Sequence, residues 1–301
     1  MSYPWHQPQL DQLAQDTRVQ SVLVTSAPGQ GVAGFAEALT RVWMCESGTE
    51  CGQCRGCRFL AQDAHPDVFT RIPEGASHTH QIDAIRALVQ ASASTTHQGG
   101  GRVIRIFEAE RMNISSANAL LKLLEEPPAG TRFILTTERP GRLPPTVLSR
   151  VRKVVLPSLG DVAGWLASTF PNQDTSAARG VSAAPDTLRQ LMADPEALSQ
   201  RDEWRQGLIA AHAGQRKAGA LIAAAQRLNT LVWFDDWYVL ALERIKAEVV
   251  RGQTPYLAAL CTFVERLERE RKPALQQVTV DTGLVVQALG DLWVRAGRLS
   301  T

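Results

Sequence analysis

The chain lacks the long apolar runs that membranes require. No stretch approaches the roughly 18 consecutive apolar residues of a spanning helix, and residues 1–10 are polar and contain proline. A secretion signal would place a continuous apolar segment there. These absences exclude the membrane-spanning and secreted classes and predict a cytoplasmic protein.

A strong charge of one sign is also missing. The 301 residues include 32 lysines and arginines against 30 aspartates and glutamates, a formal net charge of +2. This near balance disfavours a protein whose whole surface coats nucleic acid, although it allows a local basic patch. With 44% apolar and 21% charged residues, the composition is that of a globular chain long enough for two or three domains.

Cysteine is scarce, and its distribution is uneven. Four of the five cysteines follow the spacing C-x5-C-x2-C-x2-C, namely Cys45, Cys51, Cys54 and Cys57. In a reducing compartment such a cluster indicates a metal site rather than a disulfide framework. The fifth, Cys261, falls in a helical apolar segment, where we expect a small buried side chain.

The four clustered thiolates favour a structural zinc ion. Four sulfur ligands at about 2.3 Å form a closed tetrahedral shell that leaves no position for a substrate. An iron-sulfur cluster is the competing interpretation, because C-x2-C-x2-C also opens ferredoxin-type runs, but the usual Cys-Pro ending is absent. Free thiols are the third interpretation. A complete thiolate set makes the nearby histidines unnecessary as ligands: His65, His78, His80 and His97.

Strand and helix patterns alternate over the first half of the chain. A buried strand at 21–25 leads into a glycine-bearing loop and then into a helical pattern at 34–44. Further strands are predicted at 68–72, 103–107, 132–137 and 153–156. This alternation predicts an α/β module over residues 1–157, with a mainly parallel sheet covered by helices on both faces and the cysteine loop 45–57 inserted in it.

One helix of this module is bounded at both ends. Ser115 or Ser116 can cap its start, and Leu120 and Leu124 lie on one apolar face. The pair Pro127-Pro128 ends it, because a residue before proline is disfavoured in the helical conformation.

Strand signals stop beyond residue 157. Residues 158–200 predict a small helical domain with mobile turns. Residues 201–301 have long helical periods and carry four tryptophans, which predict an all-α bundle.

The glycine-bearing loop at 26–33 has the outline of a phosphate-binding loop and lacks its chemistry. Such a loop needs a lysine that reaches the phosphates and a hydroxyl that binds magnesium. Gly29 and Gly31 can shape the turn, but Val32 and Ala33 stand where the lysine and the hydroxyl would be. Phe107 stands where the strand should carry a metal-supporting aspartate. The sequence therefore predicts no functional ATP site, and from this loop alone an unrelated α/β sheet would fit as well.

Arg150, in the pair Ser149-Arg150, follows a strand and a proline-rich turn. Most arginines in such places are solvated surface charges. The alternative is a finger that reaches ATP on a neighbouring subunit, where a planar guanidinium stabilises the charge on the transferring phosphoryl group. The dipeptide alone does not decide between the two.

Two runs carry a resemblance to a known family: residues 116–128, SANALLKLLEEPP, and residues 143–150, LPPTVLSR. They closely resemble bacterial clamp-loader subunits of the AAA+ class, and the missing lysine at Val32 with the retained Arg150 is similar to members that do not hydrolyse ATP. The motifs at 3–5 and 65–67 add to the resemblance, which covers about residues 3–156 and is diffuse beyond. Val151 departs from the cysteine that the family often places after the arginine.

The resemblance implies an AAA+ module followed by a small helical lid, residues 158–200, and an all-α collar domain for oligomerisation, residues 201–301. It implies a non-hydrolysing member of a hetero-pentamer with gamma/tau and delta clamp-loader subunits. Through that complex the chain would act on the sliding clamp and primed DNA. No membrane partner is implied.

Particular residues acquire roles through the same resemblance. Arg150, with Ser149, would act in trans on ATP held by the adjacent motor subunit. The four clustered cysteines would hold zinc, and the loop at 26–33 would have no functional ATP site. Thr136 or Thr137 occupies the strand end where family members place a nucleotide-sensing residue.

Two other function classes remain open from the sequence. A motor subunit would bind ATP as an isolated chain, whereas Val32 and Ala33 predict at best weak binding. A zinc-dependent nucleic-acid-binding module would bind DNA alone with a steep dependence on salt, which the near-neutral charge disfavours.

Overall fold

A computed structural model describes residues 2–74, 79–92, 101–157, 160–252, 254–275 and 279–299. The chain forms two compact units. One comprises Met1–Trp165 with Ala184–Asp186, and the other comprises Leu166–Ala183 with Thr187–Thr301. The division into a module, a lid and a collar at 157 and 200 stays a prediction. Within the described ranges, no helix combines the length and the apolar character needed to cross a membrane.

The first unit contains a five-stranded sheet in the order β2-β3-β4-β1-β5, with all neighbouring strands parallel. This confirms the predicted α/β architecture with a parallel sheet. The strand bounds are β1 Ser21–Thr25, β2 Val68–Arg71, β3 Arg102–Ile106, β4 Thr131–Thr137 and β5 Arg152–Val155.

The side chains of successive β1 residues point to opposite faces of the sheet, because a strand has a period of two residues. Val22 and Val24 pack into one apolar cluster with Phe35 of the following helix. Leu23, between them, packs into a second cluster with Leu120. Every residue of β1 is buried, because helices cover both faces.

The helices of the first unit follow the predicted alternation with the strands. They are α1 Gln7–Gln15, α2 Val32–Met44, α3 Arg55–Ala61, α4 Ile82–Ser92, α5 Ile114–Glu125 and α6 Pro145–Leu148. The later helices are α7 Val162–Thr169, α8 Ser176–Val181, α9 Pro185–Ala193, α10 Pro195–His212, α11 Ile222–Gln226, α12 Thr230–Arg251, α13 Thr254–Leu275 and α14 Thr282–Gly297.

The start of α5 differs from the prediction. Asn113, not Ser115 or Ser116, is its N-cap, and the Asn113 side chain accepts a hydrogen bond from the Ser116 amide at 2.8 Å. The Ser116 hydroxyl instead donates to the carbonyl of His80 at 2.9 Å. Asparagine caps as well as serine does, so the sequence offered several candidates within one turn. The end of α5, just before the two prolines, is as predicted.

The second unit has a tryptophan-rich core, and its described elements are helical. Trp204, Trp233, Trp237 and Trp293 are each fully buried. Trp293 Nε1 donates to the carbonyl of Leu208 at 2.8 Å. The all-helical character predicted for the carboxy-terminal part is therefore confirmed.

Cys261 is exposed, so the prediction of a buried side chain is wrong. The residues of α13 that face the core are Tyr256, Leu260, Phe263 and Leu267. Cys261 lies off that helical stripe. Apolar surroundings in the sequence identified the helix but not the face on which Cys261 lies.

Candidate functional sites

The loop after β1 lies at the carboxyl edge of the sheet. Gly29 and Gly31 have positive φ angles of +72° and +83°, which glycine adopts at no steric cost. A Cβ atom on Gly31 would also lie 2.5 Å from Cε2 of the Tyr3 ring. Glycine is therefore required at position 31 both by the backbone and by the close approach of Tyr3.

Two carboxylates of the same chain bind the amides of this loop. The Gly29 amide donates to Oε1 of Glu138 at 2.7 Å, and the Gly31 amide donates to Oδ2 of Asp186 at 3.0 Å. Asp186 Oδ1 accepts from the Tyr3 hydroxyl at 2.6 Å, and the Asp186 amide donates to the Gly29 carbonyl at 3.0 Å. Carboxylate oxygens thus occupy the amides that a phosphate-binding loop directs at phosphate oxygens.

Burial changes the acidity of Glu138. Desolvation of its carboxyl group raises the pKa above the ordinary 4.5, and the hydrogen bond from the Gly29 amide opposes that change. Asp186 and Glu110 raise the pKa further, because neighbouring negative charges disfavour the ionised form. Glu138 therefore holds a proton more readily than an exposed glutamate does.

An aromatic cluster covers the loop. The rings of Tyr3 and Trp5 are stacked with centroids 5.1 Å apart, and the Trp165 ring meets the Tyr3 ring edge-on at 4.9 Å. A Cβ atom on Gly160 would lie 2.1 Å from the Trp5 ring, so only glycine fits there. The amino-terminal segment is therefore packed onto the loop through these rings as well as through the Tyr3 hydroxyl.

A cleft of about 470 Å³ opens beside the loop. Val32, Ala33 and Phe107 form part of its wall. Val32 is 8% exposed, and Phe107 packs against the same apolar cluster as Val32. These side chains give the cleft a hydrophobic wall where a working ATP site would have a lysine, a hydroxyl and an aspartate.

Glu108, a residue that the sequence analysis did not single out, also lines the cleft. Its amide donates to Thr136 Oγ1 at 3.2 Å, and its carboxylate pairs with Arg111 at 3.5 Å. The second strand-end threonine, Thr137, accepts from the amide of Arg139 at 3.0 Å. Both threonine hydroxyls are therefore engaged by the backbone of their own chain.

The cysteine loop brings four sulfur atoms together. Those of Cys45, Cys51, Cys54 and Cys57 all lie within 4.8 Å of one another. Zinc–thiolate bonds of about 2.3 Å in a tetrahedron separate the sulfurs by roughly 3.8 Å. The amides of Cys51, Cys54 and Cys57 each donate to the preceding cysteine's sulfur at 3.4 Å. This spacing and these donors fit a metal ion held by four thiolates.

The thiols of the cluster differ in acidity. Burial raises the pKa of Cys45, but hydrogen bonds from the Ser47 hydroxyl and from backbone amides outweigh it and lower the pKa to about 5. Backbone hydrogen bonds, the largest from Gln53, lower the pKa of Cys51. Burial raises the pKa of Cys57 to about 12. A bound cation would therefore be needed to hold Cys57 as a thiolate near neutral pH.

The cysteine loop also packs closely against α2 and starts α3. The Cys54 side chain caps α3 by accepting from the Cys57 amide. A Cβ atom on Gly56 would lie 2.2 Å from the carbonyl oxygen of Met44 at the end of α2. Glycine at position 56 therefore allows the first turn of α3 to approach the end of α2.

The described histidines near the cysteines have other partners. His65 Nδ1 accepts from the Asp67 amide at 3.2 Å, and His80 Nε2 lies 2.8 Å from the Phe107 carbonyl. Burial lowers the pKa of both histidines. Neither belongs to the group that could hold a metal. Outside the described residues lie His78 and His97.

Arg150 lies just beyond α6, where four acceptor contacts hold its guanidinium. Nε donates to Oε1 of Glu125 at 2.5 Å, and Nη2 pairs with the same oxygen. Nη1 donates to the Thr146 carbonyl at 2.8 Å and to the Ser149 hydroxyl at 3.2 Å. The Arg150 side chain is 30% exposed, so solvent or a partner molecule can reach part of it.

Besides Glu108, three carboxylates at these sites were missed by the sequence analysis: Glu125, Glu138 and Asp186. Asp186 and Gly31 are 155 positions apart, and Glu138 and Gly29 are 109 apart. No local pattern connects such pairs. For Glu125 a signal was present, because it ends the helix immediately before Glu126 and the two prolines in a run already singled out.

The fold agrees with the AAA+ class that the sequence predicted: a parallel sheet in the order β2-β3-β4-β1-β5, a glycine-bearing loop after β1 and a helical carboxy-terminal part. A gamma-subunit-related protein of DNA polymerase III from Thermotoga maritima shares this fold. The TM-score is 0.50 at 18% identity, covering 97% of this chain and 99% of that one.

Residues 7–160 match the family described as DNA polymerase III, delta subunit. The delta' subunit of DNA polymerase III from Escherichia coli K12 is 31% identical over 301 residues, covering 96% of this chain and 83% of the relative. The Pseudomonas aeruginosa delta' subunit is 28% identical over 320 residues, covering 97% of each chain. The chain belongs to this family of DNA polymerase III subunits.

Proposed function

We propose that the chain is the delta-prime subunit of a bacterial clamp loader and neither binds nor hydrolyses ATP productively. It assembles in a ring with gamma/tau and delta subunits that opens the sliding clamp and loads it on primed DNA in the cytoplasm. Within the polymerase holoenzyme it has no catalysis of its own. Similarity to two delta' subunits over nearly the full chain supports the assembly.

The proposal that the chain does not use ATP rests on one observation: carboxylates of the same chain already bind the amides of the phosphate-type loop. A triphosphate would have to displace Glu138 and Asp186 from the amides of Gly29 and Gly31. Until displaced, the two carboxylates would repel the phosphates at close range. Val32 and Ala33 supply neither the cation nor the magnesium ligand that would offset that cost.

Arg150 supports a role in a neighbour's ATP hydrolysis. Its guanidinium is partly exposed and held by contacts at its own turn, so it is available at the surface of the first unit. An arginine supplied in trans stabilises the charge that develops on the transferring phosphoryl group. Ser149 belongs to the same turn and contacts the guanidinium at 3.2 Å.

The cysteine cluster supports a structural zinc ion. Cys45, Cys51, Cys54 and Cys57 offer four ligand atoms, and thiolate sulfur suits zinc. A four-thiolate shell leaves no open coordination position, so the ion would hold the loop 45–57 without taking part in catalysis. The helical part that follows would supply the lid, 158–200, and the collar, 201–301.

Equilibrium ATP binding to the purified chain tests the absence of ATP use. We expect no saturable binding at ATP concentrations that saturate a gamma/tau subunit measured in parallel. Saturable binding with comparable affinity would favour the second candidate, a motor subunit, for which Glu108 in the cleft would be the group placed to handle water. Tight, salt-sensitive DNA binding by the isolated chain would instead favour a zinc-dependent nucleic-acid-binding module.

A further inference from the structure

The guanidinium of Arg150 donates hydrogen bonds to acceptors of two kinds, one charged and one neutral. The Nε and Nη2 edge meets a charged acceptor, the Glu125 carboxylate. The Nη1 corner meets two neutral acceptors, the Thr146 carbonyl and the Ser149 hydroxyl. Hydrogen bonds between two ionised groups are stronger than those to neutral acceptors. An incoming anion would therefore displace the neutral acceptors first.

The position of Glu125 is fixed by the chain around it. Glu125 is the last residue of α5, and Glu126 is the C-cap. The two prolines that follow prevent the helix from continuing. The Glu125 carboxylate is thus presented from a defined helix end toward the turn after α6, which carries Arg150.

We propose that Glu125 is a positioning residue for Arg150, an inference that rests on the proposed trans-acting role of this arginine. Glu125 keeps the Nε and Nη2 edge, and the Nη1 corner exchanges Thr146 and Ser149 for a phosphoryl oxygen of ATP on the adjacent subunit. A guanidinium can bridge two anions in this way because it carries five N–H donors in a rigid plane. The carboxylate lies on the far side of the arginine from the phosphate.

The ion pair between Arg150 and Glu125 is too exposed to be explained by a contribution to folding stability. The Arg150 and Glu125 side chains are 30% and 47% exposed. Ion pairs with such exposure contribute little to stability. The same contact matters more in a reacting complex, because a small displacement of a group that stabilises a transition state lowers the rate steeply.

The test compares Glu125→Gln with Glu126→Gln in the loader assembled with its gamma/tau and delta subunits, clamp and primed DNA. Glu126 is the neighbouring exposed carboxylate of the same run and serves as the matched control. We expect Glu125→Gln to lower the kcat of DNA-stimulated ATP hydrolysis by about three- to ten-fold. KM for ATP, complex assembly and the melting temperature of the isolated chain should stay near their wild-type values, and Glu126→Gln should leave all four unchanged.

The same pair of substitutions is then made in an Arg150→Ala background. There Glu125→Gln should have no further effect, because the residue acts only through the arginine. Equal kcat values for the two glutamine variants in the wild-type background, or an undiminished effect of Glu125→Gln without Arg150, would overturn the positioning role alone. If Arg150→Ala itself leaves hydrolysis unchanged, the trans-acting role of the arginine fails, and the positioning role fails with it.

Discussion

Asp186 and Gly31 are joined by a hydrogen bond of 3.0 Å in which a side-chain carboxylate accepts from the amide of a phosphate-type loop. The same carboxylate accepts from the Tyr3 hydroxyl at 2.6 Å. One side chain therefore ties the amino-terminal segment to the loop that would otherwise receive a phosphate. Together with Glu138, which accepts from the Gly29 amide, this contact explains how the chain keeps the outline of a nucleotide site while both loop amides are already bound to carboxylates.

Removing the Asp186 carboxylate should destabilise the protein. Asp186→Ala removes the acceptor that the Gly31 amide and the Tyr3 hydroxyl share, which we expect to lower the free energy of unfolding by about 1–3 kcal/mol. Tyr3→Phe removes one of the two hydrogen bonds and should cost about 1 kcal/mol. Urea denaturation of the two variants and the double variant measures the coupling. Strictly additive losses would show that the Tyr3 hydroxyl and the Asp186 carboxylate do not stabilise each other.

Gly31 should tolerate no side chain. Gly31→Ala combines a φ of +83° with a Cβ atom 2.5 Å from the Tyr3 ring. Gly214 is the matched control, since its φ is +74° and nothing lies within 4 Å of the place that its Cβ atom would take. We expect Gly214→Ala to cost about 1 kcal/mol from the backbone alone and Gly31→Ala clearly more, because a steric clash is added. Equal losses in thermal or urea unfolding would contradict the close approach of Tyr3.

The raised pKa of Glu138 predicts a pH-dependent stability. In the folded chain burial raises this pKa above its ordinary 4.5, so between these two values the folded state binds more protons than the unfolded state. The contribution of Glu138 is therefore greatest below pH 4.5 and is lost as pH rises through the folded-state pKa. Glu138→Gln can still accept from the Gly29 amide and does not titrate.

Urea midpoints measured from about pH 4 to about pH 7 should show the wild-type chain losing stability relative to Glu138→Gln as pH rises. Using the difference between the two chains cancels the titration of other groups. A difference that stays flat, or that grows in favour of the wild type with rising pH, would show that burial does not disfavour the charged carboxylate.

The zinc assignment predicts one metal ion per chain. Cys51→Ser should lower the zinc content to near zero, because a thiolate ligand is lost from a four-sulfur set. Cys261→Ser is the matched control, because Cys261 is exposed and lies outside the cluster. The zinc content of this variant should equal that of the wild type. Metal analysis that found iron with labile sulfide, or no metal, would favour one of the two other interpretations of the cysteines.

The sequence was sufficient for the features that local patterns encode. The apolar run at 21–25 predicted β1 at both ends, and the prolines at 127 and 128 located the end of α5. The spacing of the four cysteines anticipated a cluster that the fold closes to within 4.8 Å. Each of these depends on residues close together in the chain.

Features that depend on tertiary contacts escaped prediction. Asp186 reaches Gly31 across 155 positions, and nothing around Asp186 in the sequence distinguishes it from a solvated helix-start residue. The apolar neighbours of Cys261 predict a core position, whereas the stripe of α13 that faces the core excludes it. In both cases the surroundings of the side chain are determined by packing between elements that are remote in sequence.

Whether this chain acts on its neighbour's ATP is tested most directly by ATP hydrolysis in the assembled loader carrying Arg150→Ala, compared with Arg142→Ala. Arg142 is an exposed arginine in the turn before α6 and is the matched control. We expect Arg150→Ala to lower the DNA-stimulated rate by a factor between about 10 and about 10³, with assembly retained, because the positive charge that would stabilise the neighbour's transferring phosphoryl group is lost. The Arg142→Ala loader should hydrolyse ATP as the wild type does. A loader with Arg150→Ala that keeps the wild-type rate would contradict the trans-acting role.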